Sequence, residues 1–131
     1  MRHTLFFDGG YRAGTKIAGS GAVLKLNSTI VGTANYKFQQ RATSNQAEYK
    51  GLIIGLELAR RMNVSELDIY GDSLLVVSQI NKTWKINKPH LKVLNNEAHT
   101  LLCQFTYWSI SHVPRDQNSD ADKMANLAMD G

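Results

Sequence analysis

Cysteine and proline are what this chain has least of. Its 131 residues include one cysteine, Cys103, and two prolines. A lone cysteine excludes an internal disulfide and a cysteine-based zinc site. Following Leu101 and Leu102 in a helical pattern, Cys103 is expected to be a small core residue. With so little proline and 43% hydrophobic residues, the composition excludes a disordered chain. No apolar run approaches the ~20 residues of a membrane span. The opening MRHTLFF lacks the apolar region and cleavage site of a signal peptide. A cytoplasmic protein with no membrane association is therefore expected. Acidic residues are outnumbered, 11 against 15 lysines and arginines, and the net charge of +4 mildly favours an anionic partner such as nucleic acid. Repeats, linkers and low-complexity segments are also missing. The expectation is a single domain over residues 1–131, standing as an independent protein, with no room for an appended domain after the last helix.

What is present is a change of period along the chain. Residues 3–8 alternate and are aromatic-rich, as in a strand. Residues 9–20 carry four glycines, Gly9, Gly10, Gly14 and Gly19, and predict a turn-rich connection. Strands are expected at 21–27 and 29–38, joined by a tight turn at Asn27-Ser28, with Gly32 marking a bulge. From 44 to 62 the apolar residues Ala47, Ile54, Leu58 and Met62 follow helical spacing. Either Thr43 with Gln46 or Asn45 with Glu48 could form its capping box. A strand at 66–71, a short helix at 73–81, a helix opening at Pro89 and running to about Cys103, and a strand at 105–113 follow. Asn118 or Ser119 is expected to cap a final helix. Three strands followed by αβ units predict an α/β fold, a mixed sheet with helices packed on its faces.

Four acids fall at the junctions of these elements. Asp8 closes the first strand, Glu48 lies in the first turns of the long helix, Asp72 follows the strand at 66–71, and Asp122 lies early in the last helix. In α/β sheets, sites gather at strand ends. If the first and fourth strands run parallel, Asp8 and Asp72 meet at one edge of the sheet. Crowded carboxylates repel one another unless cations lie between them. An all-oxygen donor set suits Mg²⁺ or Mn²⁺ rather than zinc. Two such ions about 4 Å apart can hold the attacking water and the leaving oxygen of a phosphodiester. Gly9 and Gly10 would let backbone and substrate approach closely. Each acid also has a local alternative: Asp8 as a turn residue, Glu48 as a helix-dipole acid, Asp72 as an N-cap and Asp122 as an exposed first-turn acid. Spacing alone leaves both readings open.

The local words are more specific. "FFDGG", "TSNQAEY", "IYGDS" and "HVPRDQNSDADKMAN" occur in that order and span nearly the whole chain. Together they resemble the type 1 ribonuclease H family, most closely its short reverse-transcriptase-like branch. The resemblance implies a five-stranded mixed sheet, three antiparallel strands then two parallel, with the first strand central and helices on both faces. It implies metal-dependent hydrolysis of the RNA strand of an RNA–DNA hybrid by a two-metal mechanism, leaving 5′-phosphate and 3′-hydroxyl ends. By the same carry-over Asp8 bridges two Mg²⁺ ions, for which Mn²⁺ may substitute; Glu48 and Asp72 complete one metal site and Asp122 the other. His112, ten residues before Asp122, matches a family histidine that assists proton transfer or product release. Its local alternative is a structural hydrogen bond at a strand end. His3, His90 and His99 match no motif. Gly9, Gly10, Thr43, Asn45 and Gln46 fall at positions suited to contacting the hybrid, whose 2′-hydroxyls line a wide minor groove.

Some relatives insert a basic helical protrusion after the Asp72 helix. Here the connection is the short "NKTWKINKPH". Its Lys82, Lys85 and Lys88 are equally compatible with touching a nucleic-acid backbone and with a solvated loop. Trp84 is expected to plug the edge of the core. The chain is expected to act as a monomer. Alternatives are cleavage of double-stranded RNA or of RNA–DNA junctions, a non-catalytic binding domain on the same fold, a transposase or integrase core, and a fragment of a reverse transcriptase.

Overall fold

A computed structural model describes residues 2–131. The elements are β1 (Arg2–Arg12), β2 (Ile17–Leu26), β3 (Thr29–Lys37), α1 (Ser44–Arg61), β4 (Glu66–Gly71), α2 (Leu74–Ile80), α3 (Pro89–Leu102), β5 (Tyr107–His112), a single 3₁₀ turn (Arg115–Gln117) and α4 (Ser119–Asp130). The five strands form one sheet in the order β3-β2-β1-β4-β5. β1 lies at its centre, antiparallel to β2 and parallel to β4. β5 continues the parallel half. The mixed sheet with a central first strand, expected from the resemblance, is the architecture observed.

The two faces of the sheet are covered differently because strand side chains alternate. Leu5 and Phe7 of β1 and Ala22 and Leu24 of β2 point to one face. There they join Leu52, Ile53 and Leu56 of α1, Leu91, Ala98 and Leu102 of α3, and Val76 and Ile80 of α2 in the main core. The other face receives α4, which presents the small buried residues Ala121, Ala125 and Ala128 to β2. α1 begins at Thr43, whose hydroxyl accepts from the Gln46 N–H while the Gln46 side chain accepts from the Thr43 N–H. That closes the Thr43–Gln46 capping box and excludes the Asn45–Glu48 alternative.

Several boundaries differ from the sequence expectation. The glycine-rich stretch 9–20 is mostly strand: β1 continues to Arg12 and β2 starts at Ile17, leaving a short turn between them. Gly9 and Gly10 pair with Ser20 and Gly19 inside the ladder. None of the glycines takes a positive φ. What these residues provide is therefore space. A Cβ on Gly9 would lie 2.2 Å from the Ala47 carbonyl carbon, and one on Gly51 would lie 2.4 Å from the Asp8 oxygen. The β2–β3 register slips between Leu24 and Lys25, with Val31 as the unpaired residue beside Gly32. Cys103 is exposed rather than in the core. α3 ends at Leu102, so Cys103 is its C-cap and has left the buried face. Trp84 is 47% exposed and does not plug the core edge, because the 81–88 connection runs over the surface. Asn118 occupies the N-cap position of α4 but makes no capping bond.

Gly51→Ala is predicted to destabilise the fold by about 1–3 kcal/mol despite the higher helix propensity of alanine. Gly14→Ala, where an added Cβ meets nothing within 4 Å, should be neutral or slightly stabilising. Urea denaturation of the two variants checks this; a Gly51→Ala protein as stable as the parent would refute the backbone contact.

Candidate active site

The parallel pairing of β1 with β4 settles the condition left open by the sequence. Phe7 is in register with Gly71, so Asp8 and Asp72 emerge side by side where the β1–β4 pairing ends, at the carboxyl end of β4 and midway along β1. Glu48 comes from the first turns of α1, held against β1 by the bare backbones of Gly9 and Gly51. Asp8, Glu48 and Asp72 each offer a carboxylate oxygen within 4.8 Å of the other two. Asp122, on α4, lines the same cleft of about 370 Å³ with these three acids, Gly9, Gly10, Tyr11, Arg12, Arg115, Asn126 and Met129. All four sequence-predicted acids thus face one cavity.

Three of the four local alternatives fall away individually, while Asp122 does lie in the first turn of α4 with its side chain 35% exposed. Asp8 lies within a strand, not in a turn, and is 5% exposed. The N-cap of α2 is Ser73, whose hydroxyl accepts from the Val76 N–H, so Asp72 is not spent on capping. The α1 cap is likewise complete without Glu48. Two amides instead orient the acids. Asn118, 1% exposed, donates from Nδ2 both to the Phe7 carbonyl at 2.8 Å and to Asp72 Oδ2 at 3.2 Å. Asn126 donates to Asp122 Oδ2 at 3.2 Å and accepts from Arg12 at 3.2 Å.

The electrostatics of the cluster are unfavourable as it stands. Burial, then the neighbouring Asp72 charge, pushes the Asp8 carboxyl up to about 7, although the Gly9 N–H at 2.9 Å works the other way. Burial, then Asp8 and Asp72, pushes Glu48 up to about 9. Glu48 Oε1 is buried with no hydrogen-bond partner. A buried acceptor without a donor, among carboxylates that repel each other, is the environment a cation would relieve. The donors are all hard oxygens, which fits Mg²⁺ or Mn²⁺.

The remaining sequence-predicted residues are distributed around this cleft. Gly9 and Gly10 line it, but the space left by their missing side chains is taken by α1 and by Met129. Thr43 and Gln46 line a second groove, of about 440 Å³, with Tyr11, Arg41, Ala42 and Ser44. Tyr11 is shared by both. Asn45 lines a third, of about 180 Å³, with Leu75, Gln79, Trp84, Lys85, Asn87, Lys88 and Leu91. His112 ends β5, exposed and in register with Gly71, and is not among the cleft-lining residues. Arg115 is, with Nη2 4.0 Å from Asp122 Oδ1. Tyr11, Arg12, Arg115, Asn126 and Met129 are the cleft residues that sequence reasoning missed. Arg115 stood inside the "HVPRDQNSDAD" word, three residues after the histidine that drew attention.

A family model described as reverse transcriptase-like matches residues 6–128. Ribonuclease HI of Halobacterium salinarum is 39% identical over 125 residues, covering 95% of this chain and 63% of that protein. A bifunctional protein of Mycobacterium tuberculosis is 39% identical over 99% of this chain but 36% of its own length. Ribonuclease H of Ruthia magnifica is 31% identical over 96% of this chain and 94% of its own. The chain thus spans 63% and 36% of the length of the first two relatives. Among solved structures, RNase H1 from Halobacterium salinarum superposes with a TM-score of 0.93 at 39% identity, covering 99% of this chain and 98% of the other. LC11-RNase H1 in complex with an RNA/DNA hybrid superposes with a TM-score of 0.89 at 27% identity, covering 98% and 96%. Among the described residues, no helix is long and apolar enough to cross a membrane.

The raised acids give a signed pH dependence. In the metal-free protein Asp8 and Glu48 bind protons more tightly than in the unfolded chain, where such groups titrate near 4. Stability should therefore fall as pH rises from about 4 through about 7 for Asp8 and about 9 for Glu48. Asp8→Asn should flatten that slope and raise the melting temperature at pH 8 in chelator. Mg²⁺ should stabilise the parent more at pH 8 than at pH 5, because binding displaces protons. Thermal melts across this range measure all three effects.

Proposed function

The chain belongs to the type 1 ribonuclease H family, and we propose that it hydrolyses the RNA strand of RNA–DNA hybrids, leaving 5′-phosphate and 3′-hydroxyl ends. The observation that carries this reading is the meeting of Asp8, Glu48 and Asp72 within 4.8 Å, with Asp122 lining the same cleft. These four acids would hold two Mg²⁺ ions, with Mn²⁺ able to substitute. Such ions, when bound, polarise the attacking water and stabilise the charge that develops on the leaving oxygen.

The chain's own groups have separate tasks in this reading. Asn118 and Asn126 keep Asp72 and Asp122 turned into the cleft. Arg115, with most of its side chain in solvent, lies at the lip and can hold a non-bridging phosphate oxygen. His112, close by at the end of β5, is the candidate for assisting proton transfer or release of the product phosphate. The hybrid's second strand would follow the adjoining grooves. Thr43 keeps its hydroxyl hydrogen, and Gln46 its amide hydrogens, available after forming the capping box. Asn45 adds a side-chain amide. Trp84 offers an exposed aromatic face flanked by Lys85 and Lys88, a combination suited to a nucleic-acid backbone and sugar. Gly9 and Gly10 would contribute backbone atoms at the cleft. We place this activity in a cytoplasmic monomer.

Labelled RNA–DNA hybrid, RNA duplex and DNA duplex, each with Mg²⁺, Mn²⁺ or chelator, test the reading. Metal-dependent cutting of the hybrid's RNA strand is expected, with Asp8→Asn losing at least about 10³-fold in rate. Cutting of the RNA duplex as well would broaden the substrate, and metal-dependent cutting by Asp8→Asn would refute the assignment of that residue. Arg115→Ala should lower kcat about tenfold or more, with His112→Ala costing less; steady-state cleavage of the hybrid by the two variants checks that order.

A further inference from the structure

We propose that Tyr49, Gln79 and Asn95 are positioning residues: they fix the Trp84–Lys88 strip relative to the helix that carries Glu48, and so set how tightly a hybrid is held beside the cleft. This deepens the function proposed above and rests on it.

Asn45 and Tyr49 lie one turn apart on the same face of α1. Asn45 lines the groove with Trp84, Lys85 and Lys88. Tyr49, adjacent to Glu48 in sequence, is fully buried. Its hydroxyl donates to Gln79 Oε1 at 2.7 Å and accepts from Asn95 Nδ2 at 3.2 Å. Gln79 then donates from Nε2 to the Lys85 carbonyl at 3.4 Å. One phenol therefore joins α1, α2, α3 and the 81–88 connection. Gln79 is 5% and Asn95 7% exposed, so none of these groups can turn to water instead.

Burial alone does not call for this set of residues. Apolar side chains of similar volume would fill the space without any polar group to satisfy. What the polar set adds is direction, because each bond is good at only one distance and angle. The connection's other anchors hold its start to the sheet and its middle to the core: Asn81 Nδ2 donates to the Ile110 carbonyl at 3.0 Å, and Ile86 packs against the main core. The Thr83 and Trp84 N–H groups both donate to the Ser78 carbonyl, at 2.9 and 3.2 Å, which ties them to α2 alone. Lys82 turns the chain with φ 64°. Trp84 is not part of the buried cluster and its ring is only half enclosed. The Lys85 carbonyl bond to Gln79, and through it to Tyr49, adds a directional hydrogen-bonded link between this strip and the catalytic helix.

Tyr49→Phe keeps the ring and removes the hydroxyl. Amide exchange at Thr83 and Trp84 in the free protein should accelerate about tenfold, the scale of one lost hydrogen bond. The Kd for hybrid, measured by anisotropy in chelator, should rise by a similar factor. Cleavage at saturating hybrid should stay within about twofold, since the acids are untouched. Gln79→Met, which preserves volume and cuts the link to Lys85, should reproduce both changes if Tyr49→Phe folds poorly. Combined with Trp84→Ala, Tyr49→Phe should weaken binding no further than Trp84→Ala alone, because the two act through the same contact. Unchanged exchange and Kd in folded Tyr49→Phe, or losses that multiply in the double variant, would overturn the positioning role. A parent protein that neither binds nor cuts the hybrid would instead refute the function itself, whatever the variants do.

Discussion

Helix α1 and strand β1 touch backbone to backbone, and the site depends on that contact. Gly9 accepts the Ala47–Glu48 peptide where a side chain would stand, and Gly51 accepts the Asp8 carbonyl one turn later. With any side chain at either position the helix would move outward, and Glu48 with it. Asp8 is placed by the sheet and Glu48 by the helix, so their separation reports how closely these two elements pack. The same contact brings the Thr43 end of α1 beside the acidic cleft and makes Tyr11 a wall common to two grooves.

Charge is arranged against the overall balance of the molecule. A chain with net charge +4 gathers four carboxylates into one cleft and raises the pKa of two of them. Burial and mutual repulsion disfavour that grouping; donors from Gly9, Asn118 and Asn126 reach three of the acids, but Glu48 keeps a buried oxygen with no donor. The arrangement costs stability and is retained by packing elsewhere, chiefly the core beneath α1 and α3. Besides Arg12, Arg115 and Tyr11 in the cleft itself, basic and aromatic side chains lie in the adjoining grooves, at Arg41 in one and at Trp84, Lys85 and Lys88 in another. An anionic duplex could meet positive charge along its length and the acids only where cations are held.

Much of the fold was legible because its cues are local. The period change near residue 44, the Thr43–Gln46 box and Pro89 at the start of α3 all lie within a turn or two of the feature they specify. Gly9, Gly10 and Gly19 look like turn residues by composition, yet they are strand residues whose small size serves a helix remote in sequence. Cys103 lies one residue past the end of its helix, where periodicity no longer describes which way a side chain faces. Trp84 looked like core because tryptophan is mostly apolar, but the connection carrying it stays on the surface. For the glycines the deciding neighbour is far away along the chain; for Cys103 and Trp84 it is the path the backbone takes beyond a helix end.

The sequence by itself determined the element order, the four acids and the family words, since each is written in adjacent residues. Tertiary structure decided which groups share a cavity. Parallel pairing of β1 with β4 set Asp8 against Asp72, and close packing of α1 added Glu48. The 3₁₀ turn after β5 carried Arg115, rather than His112, to the lip of the cleft. It also took folding to assemble Tyr49, Gln79 and Asn95 around one hydroxyl. Those three residues are 46 positions apart at their widest. The reason is physical: chemistry at a site depends on distances of a few ångströms between side chains, and those distances are set by strand register and helix packing.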